Sequence, residues 1–404
     1  MKKRKNLKKF FNPKTIAVIG ASNHPKKVGY ILMQKLSKFN GEIIPINLRH
    51  TEILGKKVYA SLKEYPKKID LAIIAVPSFK VKELLEECAR KKIKNVIVIS
   101  SGFSEVGNKD AEREILRIAR EHKINLLGPN CFGVANPYLN LDTTFSNSSA
   151  EKGDTVFVSQ SGALWSYVAD LSSSKKISGF AGFVSLGNMV DLDFSDFIEY
   201  FSKDKTTKKI ILYIEKLKRG KRFIRVCKKS KKEIIAIKAG KSEKGVEATI
   251  SHTGSLATNF EIYKGAFKQA GVKLVNSLTE AFDLKQDFPE LPKTKTAIVT
   301  NAGGAAALVT DYLTEQGINV DTPIDLLGTA KPEDYEKTIN ELQNYRSIIV
   351  ILTPQAMSLP EETARVISKS KQKKKITAFF LGGDSLKRAN NILKKTGISC
   401  FTTI

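Results

Sequence analysis

A histidine and a glutamate follow neighbouring apolar segments of the chain and could together carry a phosphoryl group. His252 follows segment 233–240, which is typical of a buried strand, and a helix-like run begins at Gly254. Glu215 follows segment 210–214, one strand earlier. Open α/β sheets place their chemistry at the carboxyl ends of strands. A carboxylate there can bind one imidazole nitrogen and leave the other free as a nucleophile. We therefore predict that His252 is a loop nucleophile oriented by Glu215; the alternative is a surface histidine with no catalytic role.

A second candidate site lies between another apolar strand and a helix start. It comprises four consecutive residues, Ser159, Gln160, Ser161 and Gly162. Free backbone N–H groups and the helix dipole make such a position favourable for an anion. We predict that it binds phosphate close to His252. The chain has no Gly-x-x-x-x-Gly-Lys-Ser/Thr motif, so a phosphohistidine would need a phosphoryl acceptor bound elsewhere.

The first strand–turn–helix segment resembles a dinucleotide site in outline but lacks its key residues. The turn at 20–29 does not have the Gly-x-Gly-x-x-Gly spacing that brings the backbone against a pyrophosphate. The second strand ends at 47–49 with Arg49, where an NAD site would have an acidic residue for the ribose hydroxyls. A basic residue suits a ribose phosphate, as in coenzyme A. The alternative is that these strand-end loops are tight turns without a ligand.

Strands and amphipathic helices alternate along the whole chain. The same opening of a short apolar strand, small residues and a helix recurs at 15–22, 155–164 and 296–305. Such alternation indicates parallel sheets with helices on both faces. We predict an α/β protein of three doubly wound, Rossmann-like or flavodoxin-like domains at residues 1–145, 146–291 and 292–404.

Composition limits the classes of protein. The 404 residues carry 67 Lys+Arg against 41 Asp+Glu, a formal net charge of +26. A polyanionic partner is one interpretation, but the lysines recur in almost every predicted helix, so we favour a lysine-rich surface and expect no nucleic-acid partner. No apolar run is long enough to span a bilayer, and the four cysteines are scattered without metal-site spacing. We expect a cytoplasmic protein without a membrane segment, a disulfide framework or its own metal site.

Eight short motifs in order carry a resemblance to a known family. They lie at residues 19–22, 76–77, 101–103, 128–131, 159–163, 185–188, 213–215 and 251–254. Together they resemble the alpha subunits of the nucleoside-diphosphate-forming acyl-CoA synthetases, which are relatives of succinyl-CoA synthetase. The similarity is greatest to the ADP-forming acetyl-CoA synthetases of archaea, and it extends over nearly the whole chain.

The resemblance implies the reaction and assigns residues to it. Acyl-CoA, ADP and phosphate would give the free acid, coenzyme A and ATP through an acyl phosphate and a phosphorylated His252. Glu215 would hold the imidazole, and Ser159–Gly162 would bind the phosphoryl oxygens. Eight residues would contact coenzyme A: Gly20, Ser22, Val28, Arg49, Pro77, Ser101, Gly102 and Asn130.

The resemblance also implies a partner. The ATP-grasp half of fused family members has no counterpart here, so ADP or ATP and Mg²⁺ would bind mainly to a separate ATP-grasp beta subunit in a heterotetramer. We also expect that subunit to bring a second helix N-terminus to the phosphohistidine. Two alternatives remain open, namely a non-catalytic coenzyme A-binding or regulatory protein of the same fold and a succinyl-CoA ligase-like alpha subunit. The acyl group is left open.

Overall fold

The computed structural model describes residues 6–253, 259–285 and 290–404, and for residues 251–253 it describes the backbone alone. Within these ranges the chain forms three large, mostly parallel sheets with helices against their faces. The predicted α/β class is therefore confirmed. None of the helices in the described ranges is long and apolar enough to cross a bilayer.

The first sheet is built from the N-terminal third of the chain. Its elements are α1 (Lys8–Phe11), β1 (Thr15–Ile19), α2 (Val28–Lys35), β2 (Glu42–Ile46), β3 (Glu52–Ile53), β4 (Lys56–Lys57), β5 (Leu71–Ile74), α3 (Val81–Arg90), β6 (Asn95–Val98), α4 (Lys109–Glu121) and β7 (Asn125–Leu127). The strand order is β2-β1-β5-β6-β7, with every neighbour parallel, while β3 and β4 form a separate antiparallel pair. All residues of β5 and β6 are buried, as expected for parallel strands covered on both faces.

The second sheet is the largest. Its elements are β8 (Val134–Asn136), β9 (Leu141–Asp142), β10 (Lys152–Ser159), α5 (Ala163–Ser173), β11 (Phe180–Ser185), α6 (Phe194–Phe201), β12 (Lys209–Ile214), α7 (Gly220–Lys229), β13 (Glu233–Lys238), α8 (Glu243–Thr253), α9 (Phe260–Ala270), β14 (Lys273–Val275) and α10 (Leu278–Ala281). The order is β14-β13-β12-β10-β11-β8-β9, and only the pairings of β8 are antiparallel. Strands β8 and β9 fall within the predicted first domain, 1–145, yet belong to this sheet. The domain boundaries stay predictions.

The third sheet follows in the C-terminal part. Its elements are β15 (Thr296–Thr300), α11 (Gly303–Glu315), β16 (Ile324–Asp325), α12 (Pro332–Glu341), β17 (Ser347–Leu352), α13 (Pro360–Lys369), β18 (Ile376–Phe380), α14 (Lys387–Lys395) and β19 (Ser399–Phe401). The order is β16-β15-β17-β18-β19, all parallel. Short 3₁₀ turns join elements of the three sheets at Leu36–Lys38, Ser78–Lys80, Ser104–Val106, Pro137–Leu139, Lys373–Lys375 and Asp384–Leu386.

The five main strands of each sheet follow one topology. Numbered within its own sheet, each set has the order 2-1-3-4-5, which is the flavodoxin-like arrangement. In this arrangement the strand order reverses between strands 1 and 3, and the loops that leave those strands diverge to opposite faces. Ligands bind in the crevice that opens there. In the second sheet this point lies between β10 and β12.

The second sheet lies between the other two. On one side, the ring of Phe11 from α1 contacts Phe197, Tyr200 and Phe201 on or beside α6, with ring centroids 4.8 to 6.1 Å apart. On the other side, Trp165 of α5 shares one hydrophobic core with the alanine-rich α11 of the third sheet. These shared cores fix the three sheets together and bring their strand-end loops to one region.

Candidate active site

The predicted phosphate-binding residues and Glu215 lie at the crevice of the second sheet. Ser159, the last residue of β10, pairs in register with Tyr213 of β12, and Glu215 follows β12 directly. Gly162 precedes the first residue of α5 and has helical backbone angles. The structure thus brings Ser159–Gly162 and Glu215 to the same edge of the sheet, where a helix start can meet a carboxylate.

Gln160 joins these two loops through its side chain. Its Oε1 accepts hydrogen bonds from the backbone N–H groups of Glu215 and Lys216, both at 2.8 Å. Ser159 Oγ donates to the carbonyl oxygen of Ser161 at 2.6 Å, so the tight turn before α5 is held from within. Within the described part of the chain, the buried Ser161 Oγ has no hydrogen-bond partner. A buried hydroxyl at a helix start is a donor suited to a phosphoryl oxygen.

A second helix start approaches the first from the third sheet. Tyr213 Oη donates a hydrogen bond to the carbonyl oxygen of Gly304 at 3.0 Å, in the first turn of α11. A Cβ on Gly304 would lie 2.5 Å from Ser161 Oγ, so only glycine permits this approach. The start of α11 therefore joins the start of α5 beside the crevice within this chain. The helix N-terminus that we expect from a partner subunit stays a prediction. Two positive helix ends beside one crevice favour an anion more strongly than one.

His252 lies on a helix, which corrects one expectation. The predicted strand before it is present as β13, but the residues that follow β13 form α8 (Glu243–Thr253), and the backbone of His252 belongs to the last turn of that helix. We predicted a loop at this position. The side chain of His252 and residues 254–258, including Gly254, are outside the described part of the chain. The pairing of the imidazole with Glu215 therefore stays a prediction.

Glu215 lies in a buried, charged environment. Its side chain is 6% exposed, and Lys238, at the end of the adjacent β13, is 3% exposed. Burial lowers the pKa of Lys238 to about 8, although the nearby carboxylates of Asp311 and Glu215 act in the opposite direction. The ammonium lies 4.6 Å from the ring centroid of Tyr263 and donates to the carbonyl oxygen of Ala239. The site thus contains a buried cation that sequence patterns did not single out.

Most of the predicted coenzyme A residues line one cleft with three of the four predicted phosphate-binding residues, while Ser159 is buried beneath it. The cleft has a volume of about 1720 Å³ and is bounded by loops from all three sheets. Seven of the eight predicted residues line it, namely Gly20, Ser22, Val28, Arg49, Pro77, Ser101 and Asn130. Gly102 is not among the lining residues, and its N–H donates to Glu105 Oε1. The cleft continues past Gln160, Ser161 and Gly162 to Asn301–Gly303 at the start of α11.

The turn after β1 sets the floor of this cleft. Gly20 has φ +94°, and a Cβ there would lie 2.3 Å from the carbonyl oxygen of Ala75, so this position requires glycine. Asn47, after β2, donates from Nδ2 to the carbonyl oxygen of Ala21 at 2.8 Å and accepts from the N–H of Arg49 at 2.7 Å. These bonds hold the exposed Arg49 at the rim, where its charge can meet a phosphate.

Asn188 is a site residue whose role the sequence did not reveal. Its Oδ1 accepts from Asn130 Nδ2 at 3.3 Å, and its Nδ2 donates to Glu105 at 2.6 Å and to Glu112 at 2.8 Å. Asn188 thereby ties a predicted coenzyme A residue to the loop that contains Gly102. It belongs to one of the eight motifs of the resemblance, and that membership was the only signal for it in the sequence.

Two family models match successive parts of the chain. The family model of the succinyl-CoA ligase like flavodoxin domain matches residues 152–288, and that of the CoA binding domain matches residues 14–137. The chain is 40% identical to the alpha subunit of acetate–CoA ligase [ADP-forming] II from Pyrococcus furiosus, over 97% of this chain and 93% of the relative. The chain therefore belongs to the family of ADP-forming acetate–CoA ligase alpha subunits, and the resemblance found in the sequence is confirmed.

Some relatives are about as long as this chain, and others are longer proteins of which the chain matches only a part. The acetate–CoA ligase [ADP-forming] of Methanocaldococcus jannaschii is 40% identical over 98% of this chain, which spans 61% of that longer protein. A solved structure from Candidatus Korarchaeum cryptofilum, a dinucleotide forming acetyl-coenzyme A synthetase 1 in complex with phosphate and ADP, has a TM-score of 0.66 and 33% identity. The match covers 98% of this chain and 94% of that one.

Proposed function

We propose that the chain is the alpha subunit of an ADP-forming acyl-CoA synthetase that converts acyl-CoA, ADP and phosphate into the free acid, coenzyme A and ATP. One observation carries the proposal. A single cleft runs from the residues predicted to contact coenzyme A to the two helix starts at Ser161 and Gly303. A thioester held along the first part would present its carbonyl carbon to a phosphate bound at the second.

The first step is acyl transfer to phosphate. A phosphate oxygen attacks the thioester carbonyl, the carbon–sulfur bond breaks, and the coenzyme A thiolate leaves and is protonated. The N-termini of α5 and α11 would stabilise the charge on the phosphate and on the acyl phosphate product. The Ser161 hydroxyl would donate to one of the phosphoryl oxygens.

The second step moves the phosphoryl group to His252. One imidazole nitrogen attacks phosphorus, the bond to the acyl oxygen breaks, and the acid leaves as its carboxylate. Glu215 would accept the N–H of the other nitrogen and stabilise the cation that forms, which is the role of the orienting carboxylate in other nucleophile–base systems. A terminal ADP oxygen then attacks the phosphohistidine and releases the imidazole.

The nucleotide step requires a partner in this proposal. Magnesium would shield the charges of ADP and of the transferred phosphoryl group. Among the described residues no cluster of three His, Cys, Asp or Glu side chains could hold a metal ion. We assign ADP and Mg²⁺ to a separate ATP-grasp beta subunit in a heterotetramer. The name of the Pyrococcus furiosus relative, a subunit alpha, supports a partner subunit.

The test compares two histidine variants of the reconstituted complex. Complex made with the unmodified chain should acquire acid-labile phosphate from magnesium ATP and form ATP from acetyl-CoA, ADP and phosphate. H252N should abolish both. The control is H122N, because His122 is exposed and follows α4, away from the site. Undiminished ATP formation by H252N would contradict the proposal.

Partner dependence gives a second arm. The purified chain alone should bind coenzyme A but form no ATP, and addition of the ATP-grasp subunit should restore turnover. Coenzyme A binding with no phosphorylation in any complex would instead favour the non-catalytic, regulatory alternative. Full activity from this chain alone would contradict the two-subunit assignment.

A further inference from the structure

Asp311 of the third sheet holds the loop that leads into the His252 helix. It lies in the middle of α11 and is 3% exposed. Its carboxylate accepts hydrogen bonds from three consecutive backbone N–H groups and one hydroxyl, those of Gly240 at 2.7 Å, Lys241 at 2.9 Å, Ser242 at 2.9 Å and Ser242 Oγ at 2.9 Å. Four charge-assisted bonds to one carboxylate make a rigid connection between these two parts of the chain.

The connection continues into the first turn of α8. Ser242 Oγ accepts a hydrogen bond from the N–H of Gly245 at 2.9 Å, and the carbonyl oxygen of Ser242 accepts from Val246 at 2.8 Å. Ser242 is thus the N-cap residue of α8, and Asp311 binds that cap. The carboxylate also lies beside the positive end of the α8 dipole, which adds a favourable electrostatic contribution.

Gly245 allows this contact. A Cβ on Gly245 would lie 1.8 Å from Asp311 Oδ1, closer than any real contact. Helix interiors ordinarily favour alanine over glycine, so a glycine in the first turn of α8 lowers helix propensity. The close approach of α8 to α11 at Asp311 accounts for the presence of glycine at this position.

The N-terminus of α11, the helix that contains Asp311, lies at the predicted phosphate site. Gly304, in the first turn of α11, contacts Ser161, and Asp311 lies seven residues further along the helix. We propose that Asp311 is a positioning residue for phosphoryl transfer. It fixes the first turn of α8 against α11, and it thereby sets where His252 lies relative to the paired helix starts. This inference rests on the proposed function, because it assumes that His252 carries the phosphoryl group.

The main test is D311N in the reconstituted complex. The amide keeps the shape of the side chain but removes the charge and turns one acceptor into a donor that faces backbone N–H groups. Misplacement of a reacting group lowers kcat strongly, so we expect kcat for ATP formation and the rate of His252 phosphorylation to fall about tenfold or more. The KM for acetyl-CoA should change less than about twofold, because the coenzyme A loops are untouched.

Asp170 offers a matched control between the same two sheets. It is a buried aspartate on α5 whose carboxylate accepts from Gly383 N–H, Ser385 Oγ and Ser148 Oγ, each at 2.7 Å. D170N removes a similar buried carboxylate that joins the second sheet to the third, but away from α8. We expect D170N to lower the melting temperature as D311N does while kcat stays within about twofold. If both variants lose kcat in proportion to their loss of stability, Asp311 is merely structural and the proposal is overturned.

G245A tests the same contact without removing the charge. If the contact positions α8, the added methyl group must displace α8 from Asp311, and kcat should fall with little change in KM. If the contact does not position α8, the higher helix propensity of alanine should leave the melting temperature and kcat unchanged or raised. The second result would contradict the proposal.

Hydrogen exchange separates this inference from the proposed function. In D311N, the amides of Gly240, Lys241 and Ser242 should exchange about tenfold faster or more, whatever the activity. Unchanged protection of these amides would overturn the inference alone. Absence of phosphate on His252 in the unmodified complex would instead overturn the proposed function. The phosphate content of the unmodified complex is compared with that of H252N for this purpose.

Discussion

Gln160 Oε1 accepts a hydrogen bond from the backbone N–H of Glu215 at 2.8 Å. Gln160, which follows β10, thereby holds the backbone of Glu215, which follows the adjacent strand β12. The same oxygen accepts from Lys216. Gln160 also precedes the helix start that we assign to phosphate. Gln160 lines the cleft and also binds the backbone of Glu215. It therefore fixes the distance between the predicted phosphate-binding turn and Glu215.

The first prediction concerns this connection. Q160A leaves two backbone donors without their acceptor, at a cost on the order of 1–3 kcal/mol for a donor that water does not reach. We expect a lower melting temperature and a fall in kcat of about tenfold or more, since Glu215 is released from its position. Thermal melting and steady-state kinetics of the complex give both quantities.

The control for Q160A is Q372A. Gln372 is equally buried, but its Nε2 donates to the carbonyl oxygen of Ile339, far along the chain from the crevice. The Q372A complex should have a lower melting temperature, while its kcat remains close to that of the unmodified complex. Equal kcat in Q160A and Q372A would show that Gln160 supports the fold only.

The second prediction concerns the charge of Glu215. E215Q keeps the size of the side chain but removes the charge that would orient and stabilise the His252 imidazole. Loss of an orienting carboxylate costs on the order of several powers of ten in rate in hydrolase triads. We expect a loss of that kind in the phosphorylation rate of His252, measured by rapid quench. The exposed Glu315 provides the control E315Q. A change below about threefold in E215Q would mean that this carboxylate has no part in the transfer.

The third prediction concerns coenzyme A. R49A should weaken coenzyme A binding about tenfold at low salt, equivalent to about 1.4 kcal/mol, and by less as salt is raised, because an exposed charge is screened. Calorimetry on the isolated chain measures this Kd. R346A is the control, since Arg346 is an exposed arginine of the third sheet. Tight NADH binding without any response to coenzyme A would contradict the assignment of the cleft.

Local patterns were sufficient to predict most of the strands and the crevice. The interiors of β12 and β13 and the second half of β10 are apolar runs, and strands buried on both faces give this signal. Their carboxyl ends could be placed at one edge because parallel strands share it. The grouping of Ser159–Gly162 with Glu215 follows from that rule alone.

The helix α8 could not be predicted from its own residues. Its sequence contains Gly245 and the β-branched Val246, Thr249 and Ile250, all of which lower helix propensity, and it has no clear apolar stripe. The helix is stabilised from outside, by Asp311 at its cap and by packing against α11. Because Asp311 is 69 residues beyond Ser242 in the chain, no local pattern reports the contact.

The approach of Gly304 to Ser161 was missed for the same reason. The Gly303–Gly304 pair was visible as a helix start in the sequence, but its neighbour in space could not be inferred from spacing. The absence of a side chain at residue 304 is meaningful only once Ser161 is known to lie against it. Contacts between sheets therefore supplied the approach of α11 to Ser161 and the Asn188 network.

The last prediction concerns the buried charge of Lys238. Its pKa is lowered from 10.5 to about 8, chiefly by burial. The unfolded chain therefore binds more protons than the folded chain between about pH 8 and 10.5, and folded-state stability rises with pH across that window. Below pH 8 both states carry the charge, and the folded state bears the full cost of burying it.

K238M removes this titration and keeps an unbranched side chain of similar length. As pH rises from 8 to 10, the melting temperature of the unmodified protein should increase relative to that of K238M, because only the unmodified protein is relieved of a buried charge. The neighbouring groups Asp311, Glu215 and Lys241 are common to both proteins and cancel in the difference. Melting curves at several pH values measure it, and K232M, which alters a part-buried lysine that binds backbone carbonyls, is the control. A difference in melting temperature between K238M and the unmodified protein that is independent of pH would show that Lys238 is not a cation buried at the site.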